Sequence, residues 1–391
     1  MVFFFLLAAF ATFVVPRATG VSQASAAHNI ASTNKANVEV TTPVELQLQT
    51  AVSTTLRQNV RYSPLAILPS PAYSSPYLRD SFWASQAYNQ RAFSLSILNR
   101  FALAERVDGD PPTFFVTPYQ HPSYHDDESA SLLLIWAYRA QTLYGQSAPR
   151  PALQKAVTYL VSHLFHGYIV SSPGSYRSWW DSYVAPTAAT LSYNQGLYVV
   201  ALRSAKALGL TIPSHSITLA EQAYRALYNP TLGYLPQSTT LPATDSSALT
   251  GEFLSLWLFH RPILTDAMVK HSVASLPQFD AGYRVVALPG GVGFPTTTSM
   301  GQPGDYQNGA SWLLYDALSI ASAGLHGTPH MLAKLQARLA LEFRHEATLH
   351  EYLQTDPSLP FYGSEPPFRH RCSWDMFVLV IDRYLHQAGV S

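Results

Sequence analysis

The 391-residue sequence contains one cysteine, Cys372, so no internal disulfide can form and stability must come from the core. Charge is scarce too: Asp, Glu, Lys and Arg make up 12% of the chain, against about 25% in ordinary soluble proteins. The 24 basic and 24 acidic residues cancel. With no basic stripe and no acidic tail, nothing marks nucleic acid or an anionic membrane as a partner. A long apolar run is also missing. MVFFFLLAAFATFVV is broken by Pro16 and Arg17, too short to span a bilayer comfortably. It reads as a signal peptide over 1–26, with Ala24-Ser25-Ala26 as the cleavage site. Residues 27–42 read as a flexible tether and 43–391 as one folded domain. The expectation is a secreted or cell-envelope protein, monomeric, with no stable membrane insertion once the leader is removed. Because the leader lacks an early Lys or Arg, an uncleaved anchor stays open as the alternative.

Hydrophobic residues are plentiful at 47%, and aromatics reach 13%, enough for a large core and for polar-aromatic surfaces where charges would otherwise stand. Helical runs end in Gly and resume after Pro at YGQSAP (Gly145, Pro149), LGLTIP (Gly209, Pro213) and AGLHGTP (Gly324, Pro329), with a tighter joint at Pro262. Gly just past a helix end and Pro at the next start make short helix-to-helix joints. The two arms of each hairpin differ. ASLLLIWAY at 130–138 is apolar on every side, as in a helix surrounded by protein. Leu153, Val157, Leu160, Val161 and Leu164 instead follow helical spacing, with Gln154, Lys155, Thr158 and Ser162 between them. That arm has a wet face. The pattern predicts outer helices near 43–59, 91–104, 150–165, 215–228, 262–274 and 328–347. Inner helices are predicted near 80–88, 126–144, 191–208, 246–260, 306–323 and 373–387. The fold class is therefore all-α, an (α/α)6 barrel of six hairpins with its long loops at one end. Long loops inside a compact domain usually carry function.

The inner helices open with acids: Asp80 in LRDSFW, Asp126 and Asp127 in HDDESA, Asp245 in ATDSSA, Asp305 in PGDYQNG and Asp375 in CSWDMF, with Asn194 in SYNQG. Helix capping explains such residues without any function. Even so, caps on inner helices would ring one mouth with carboxylates, and a mouth of Asp, Trp and Tyr suits a carbohydrate. RSWWDSY is different, because Asp181 stands well before its helix. Trp179, Trp180 and Tyr183 can exclude water and raise the pKa of that acid, as a proton donor requires. The plain alternative is loop packing with Asp181 paired to Arg177.

The order LRDSFW, SWWD, SYNQGLYVVALRSAKALG, PGDYQNGASW, HEYLQ and SWDMF resembles the six-hairpin glycosidases. It looks most like the glucosidase domain of glycogen-debranching enzymes and the family-63 glucosidases, and more distantly like family-15 glucoamylases. The resemblance spans roughly residues 60 to 390. It implies hydrolysis of glucosidic or related linkages in an oligo- or polysaccharide, by inversion and without a cofactor. Asp181 would be the catalytic acid and Glu351 the base, with Glu346, Glu365 and Asp375 as rival bases. Arg79 and Asp80 would hold sugar hydroxyls, and Tyr306, Asn308 and Trp312, with Gly309, would shape the pocket. Trp83, Asp127, Trp179, Trp180, Asn194, Asp305 and Trp374 complete the candidate sugar contacts. An inverting pair needs its carboxyls about 6.5 to 9.5 Å apart, leaving room for water. The accessory β-domain of many relatives is missing, so a more open cleft is expected.

Other readings are weighed against this one. In RHEATLHE, His345 and His350 are five apart rather than four, so the HExxH zinc pattern fails and no metal site is expected. His121, His125 and Asp126 could ligate a metal, or Tyr124 and a His could act as a lyase or epimerase pair. GGVGF at 290–294 is a turn rather than a phosphate cradle, and no P-loop, dinucleotide fingerprint or G-x-S-x-G elbow occurs. A barrel that binds glycan without cleaving it remains the non-enzymatic alternative.

Overall fold

The computed structural model describes residues 42–62, 65–116, 121–173, 178–180, 187–295, 301–366 and 370–391. Residues 1–26, read as a leader, and nearly all of 27–42, read as a tether, lie outside the described residues, as do Arg177, Asp181 and Tyr183. Among the described residues, no helix is long and apolar enough to cross a membrane.

Twelve α-helices carry the described chain: α1 (Pro43–Asn59), α2 (Leu78–Tyr88), α3 (Arg91–Leu103), α4 (Ser129–Tyr144), α5 (Arg150–Ser162), α6 (Ser192–Ala207), α7 (Ser216–Ala226), α8 (Thr250–Phe259), α9 (Asp266–Ala274), α10 (Leu313–Leu325), α11 (Met331–Glu342) and α12 (Val378–Gln387). The inner ring is α2, α4, α6, α8, α10 and α12. Each packs on the next, and α12 returns to α2. The remaining helices form the outer layer, with α1 against α11 and α12. This is the all-α barrel the periodicity predicts.

Burial follows the two kinds of arm. Residues 129–137 of α4 are buried without a break, whereas on α5 the residues Leu153, Ala156, Val157 and Leu160 face inward and Thr158 and Ser162 face solvent. Each leucine removed from water in this way stabilises the barrel by about 2 kcal/mol. Two inner helices meet backbone to backbone where Gly196 of α6 faces Gly251 of α8, since a Cβ on Gly251 would run into the Gly196 backbone. Only glycine allows that contact.

The joints match the expected chemistry with one shift. Gly145 and Gly209 take left-handed conformations, φ 67° and 69°. At the third joint Gly324 stays helical and Gly327, at φ 75°, makes the turn. Elsewhere Asn89, His215, His260 and His330 take the left-handed position themselves.

All the outer-to-inner connections are long, so they gather at the end of the barrel where the inner helices begin. Short antiparallel ribbons stiffen them, including 60–62 with 65–67 and 114–116 with 121–123. The pair 244–245 with 286–287 joins the approach to α8 to the approach to α10, setting Asp245 opposite Val286. The inner helices run in parallel, so their positive dipole ends share one mouth. That field favours the carboxylates gathered there.

Candidate active site

The first turn of α2 supplies Arg79 and Asp80. Arg79 Nη1 donates to Glu128 Oε1 at 2.6 Å, both side chains being buried. Its Cζ lies 5.4 Å above the Trp374 ring, and its Nε is 4.0 Å from Asp80 Oδ2. Arg79 remains a cation despite its burial, because Glu128, Tyr315, Asp126 and Asp80 surround it. Burial pushes the Asp80 carboxyl up to about 7; Arg79 opposes this, and the negative charge of Glu351 adds to it. Residues from α2, the approach to α4, the start of α10 and the last long connection thus meet at one place.

Glu351 is 3% exposed. Tyr73 OH donates to both of its carboxylate oxygens, at 3.0 and 3.3 Å. The backbone under it is held by Glu365, whose oxygens accept from the N–H groups of Glu351 (2.9 Å) and Tyr352 (3.3 Å). Burial and the neighbouring Glu351 keep the Glu365 pKa well above the usual range. Asp375 accepts from Leu314 N at 2.9 Å and so caps α10 rather than its own helix. Glu346 is half exposed and contacts two histidines. Of the four acids considered as base, Glu365 and Asp375 are engaged by backbone, and Glu351 is the one beside Asp80.

An aromatic wall joins this group to the stem of the loop that leads to Asp181. The Trp179 ring lies 5.3 Å from Trp312 and 4.3 Å from Tyr315. Trp312 stacks on Tyr352 at 5.8 Å and meets Trp374 at 5.4 Å and Tyr306 at 5.3 Å. Trp179 Nε1 donates to Ser247 Oγ at 2.6 Å, and Ser247 in turn donates to Asp245. Gln307 Nε2 donates to Trp179 O at 2.7 Å. Trp180 is buried against Phe294. The described part of SWW is therefore fixed from several sides, while Asp181 itself lies outside the described residues.

Tyr306, half buried, has φ 39°. A bulky residue there costs on the order of 1–2 kcal/mol, and such strain tends to persist where the surroundings enforce it. Here the turn from Asp305 to Asn308 and the bond from Trp312 Nε1 to Tyr306 O do so. Asp305 Oδ1 accepts from Gln354 Nε2 at 2.9 Å. Asp127 is part-exposed at the approach to α4, and Asn194 lies in the first turn of α6, 3.5 Å from Ser171 Oγ.

Several expectations need correction. Trp83 sits one turn deeper than Arg79, fully buried between Phe82 and Phe377, so stacking on a sugar is not open to it. Asn308 clamps a loop: Oδ1 accepts from Phe294 N, and Nδ2 donates to Phe294 O and Gly301 O. Capping is narrower than the sequence suggests. Asp80 is the third residue of α2, and α4 has no side-chain cap. Among these acids, Asp245 is the one that caps its own turn, accepting from Ser247 N. The 121–126 segment does not gather a ligand set: His125 Nε2 meets Ser123 Oγ, and Tyr124 OH donates to Ala104 O. Two residues missed in the sequence matter here, Tyr73 and Glu128. Both act across the fold, although PAYSSPY and HDDESA lie directly before inner helices.

The sequence matches no protein-family model and no curated protein. Solved structures do share the fold. A glycosidase aligns with 95% of this chain and 100% of its own at 16% identity, TM-score 0.59. A family GH63 mannosylglycerate hydrolase from Thermus thermophilus, in complex with glucose, aligns with 86% of this chain and 100% of its own at 14% identity, TM-score 0.63. A variant glycosidase in complex with glucose covers 95% and 100% at 16% identity, TM-score 0.60. The six-hairpin architecture is common to all of them.

Proposed function

We propose that this chain is a glycoside hydrolase that cleaves glucosidic or related linkages by inversion, with Asp181 as general acid and Glu351 as general base. One observation supports the reading above the others. The wall from Trp179 through Trp312 to Tyr352 ties the stem before Asp181 to the segment bearing a buried, Tyr73-clasped Glu351. The fold it shares with glycosidases agrees with this reading.

In the proposed reaction Asp181 gives its proton to the glycosidic oxygen as the bond from that oxygen to the anomeric carbon breaks. Glu351 takes a proton from a water that attacks the same carbon from the opposite face. The products are an alcohol and a sugar of inverted anomeric configuration, and both carboxyls return to their starting forms through solvent. Arg79 and Asp80 would bind hydroxyls of the terminal sugar. Trp374 and Tyr306 would cover its apolar faces, backed by the buried Trp179, Trp180 and Trp312, with Asp127, Asn194 and Asp305 around them. None of these steps calls for a cofactor. A monomer exported through the 1–26 leader completes the proposal.

The test is hydrolysis of maltose, isomalto-, trehalose-type, mannose-type and mannosylglycerate substrates by the wild type and by Asp181→Asn. Sugar release that falls by about 10²-fold or more in the variant agrees with a general acid. No release from any substrate by the wild type contradicts the enzyme reading. Binding that is unchanged in Asp181→Asn, without cleavage by either protein, makes the barrel a glycan-binding module.

A further inference from the structure

Next to the Glu351 segment, but outside the sugar site, three side chains converge without a role in the proposed hydrolysis. One nitrogen or oxygen from each of Glu346, His350 and His370 lies within 4.8 Å of the others. His370 Nδ1 is 2.7 Å from Glu346 Oε1, and His350 Nε2 is 3.9 Å from the same oxygen. The two imidazole rings meet edge to face with centroids 4.8 Å apart.

His350 is the informative member. It is 2% exposed, and Glu342 Oε1 lies 3.0 Å from its Nδ1 and 2.7 Å from its backbone N. The other Glu342 oxygen accepts from the buried Arg338. A carboxylate held in this way only accepts, so Nδ1 of His350 is the donor to Glu342 and Nε2 is the nitrogen that would offer its lone pair to a metal. That Nε2 is buried and has no hydrogen-bond partner. A buried imidazole normally finds one. A histidine whose far nitrogen donates to a carboxylate while its near nitrogen faces other donors is the usual arrangement around a bound metal.

We propose that Glu346, His350 and His370 bind a divalent transition metal of the zinc class, with water in the remaining position. The donor set of two imidazoles and a carboxylate suits zinc, whose bond lengths of about 2.0–2.2 Å place tetrahedral ligands roughly 3.3 Å apart. The separations of 2.7 and 3.9 Å fall on either side of that value. Glu346 is 48% exposed and can adjust. The metal would staple two segments already joined by the bonds from Arg371 N and Cys372 N to Leu349 O. It would thereby steady the chain next to Glu351. HExxH spacing misses such a site, because the third ligand comes from a later segment and His345 is not needed.

The experiment titrates chelator-stripped full chain with cobalt(II), following its visible d–d absorption and the thermal midpoint. The expected result is roughly one equivalent bound, a tetrahedral-type band and a raised midpoint. His370→Ala and Glu346→Gln should lose the band while keeping the wild-type midpoint without metal, and His345→Ala should behave as wild type. Absence of saturable binding overturns the proposal, as does binding that survives in both His370→Ala and Glu346→Gln. Because the readouts are optical and thermal, their failure is separate from any failure of the hydrolase reading.

Discussion

Glu342 and Asp80 are both buried acids beside a buried arginine, yet one is finished and the other is not. Glu342 accepts from Arg338 Nη1, from His350 N and from His350 Nδ1, so both oxygens are engaged. Its carboxyl is held down at about 2: burial works against ionisation, but the attractions of His350 and Arg338 together exceed it. Asp80 has its arginine 4.0 Å away and lies near a second acid, and burial carries it up to about 7. Arg338 is bonded by Asp316 and Glu342 through two of its nitrogens, with Nη2 left without a hydrogen-bond partner, whereas Arg79 makes one strong bond and leaves Nε without a hydrogen bond. The first cluster carries the wall between α10 and α11. The second, at the mouth, has the unfinished electrostatics expected of a site that awaits polar groups from a ligand.

The largest effect that could break this comparison is on stability. Arg338→Met leaves Asp316 and Glu342 buried without their cation and should cost about 3–5 kcal/mol in urea unfolding. A loss under about 1 kcal/mol would mean that the Arg338 cluster is no more structural than the mouth. Next is Asp80→Asn, which should lower sugar turnover by about 10²-fold or more while leaving the protein equally or more stable at neutral pH. Reduced stability in this variant would place Asp80 with the structural acids.

The signs of the two shifts give a pH test. Asp80, raised from 3.8 to about 7, contributes stability that is fully present below pH 3.8 and lost as pH rises through 7. Glu342, lowered from 4.5 to about 2, contributes stability present above pH 4.5 and lost as pH falls through 2. Asp245, also raised to about 7 by burial, acts in the same sense as Asp80. The thermal midpoint should therefore decline from about pH 4 to about pH 7, and Asp80→Asn should flatten that decline. Smallest is Tyr73→Phe, which removes the donor to Glu351. It should reduce kcat by about tenfold, the equivalent of about 1.4 kcal/mol, with the fold intact.

Much of the barrel was legible because helical period and Gly/Pro joints are local signals. The predicted α1 and α4 ends match within a few residues. The start of α10 was placed too early, since PGDYQNG reads as a helix opening but forms the Asp305–Asn308 turn that forces Tyr306 to positive φ. The approaches to α8 and α12 tighten into 3-10 turns at 246–249 and 374–377, which apolar spacing does not distinguish from α-helix. Ribbons of two or three residues are too short to show alternation. At the site, the residue types were legible and their partners were not. Tyr73 reaches Glu351 and Gln307 reaches Trp179 across the whole fold, and such pairs leave no mark in local spacing. Trp83, in the LRDSFW motif, reads as a candidate sugar contact. Helical geometry instead turns it into the core.

The most direct test of the account is the rate of sugar release by Glu351→Gln relative to wild type on a substrate the wild type cleaves, with the thermal midpoint measured alongside. The account predicts a fall of about 10³-fold or more with the midpoint retained. Turnover within about tenfold of wild type in a folded Glu351→Gln protein would contradict it, and would move the base away from the Tyr73-clasped carboxylate.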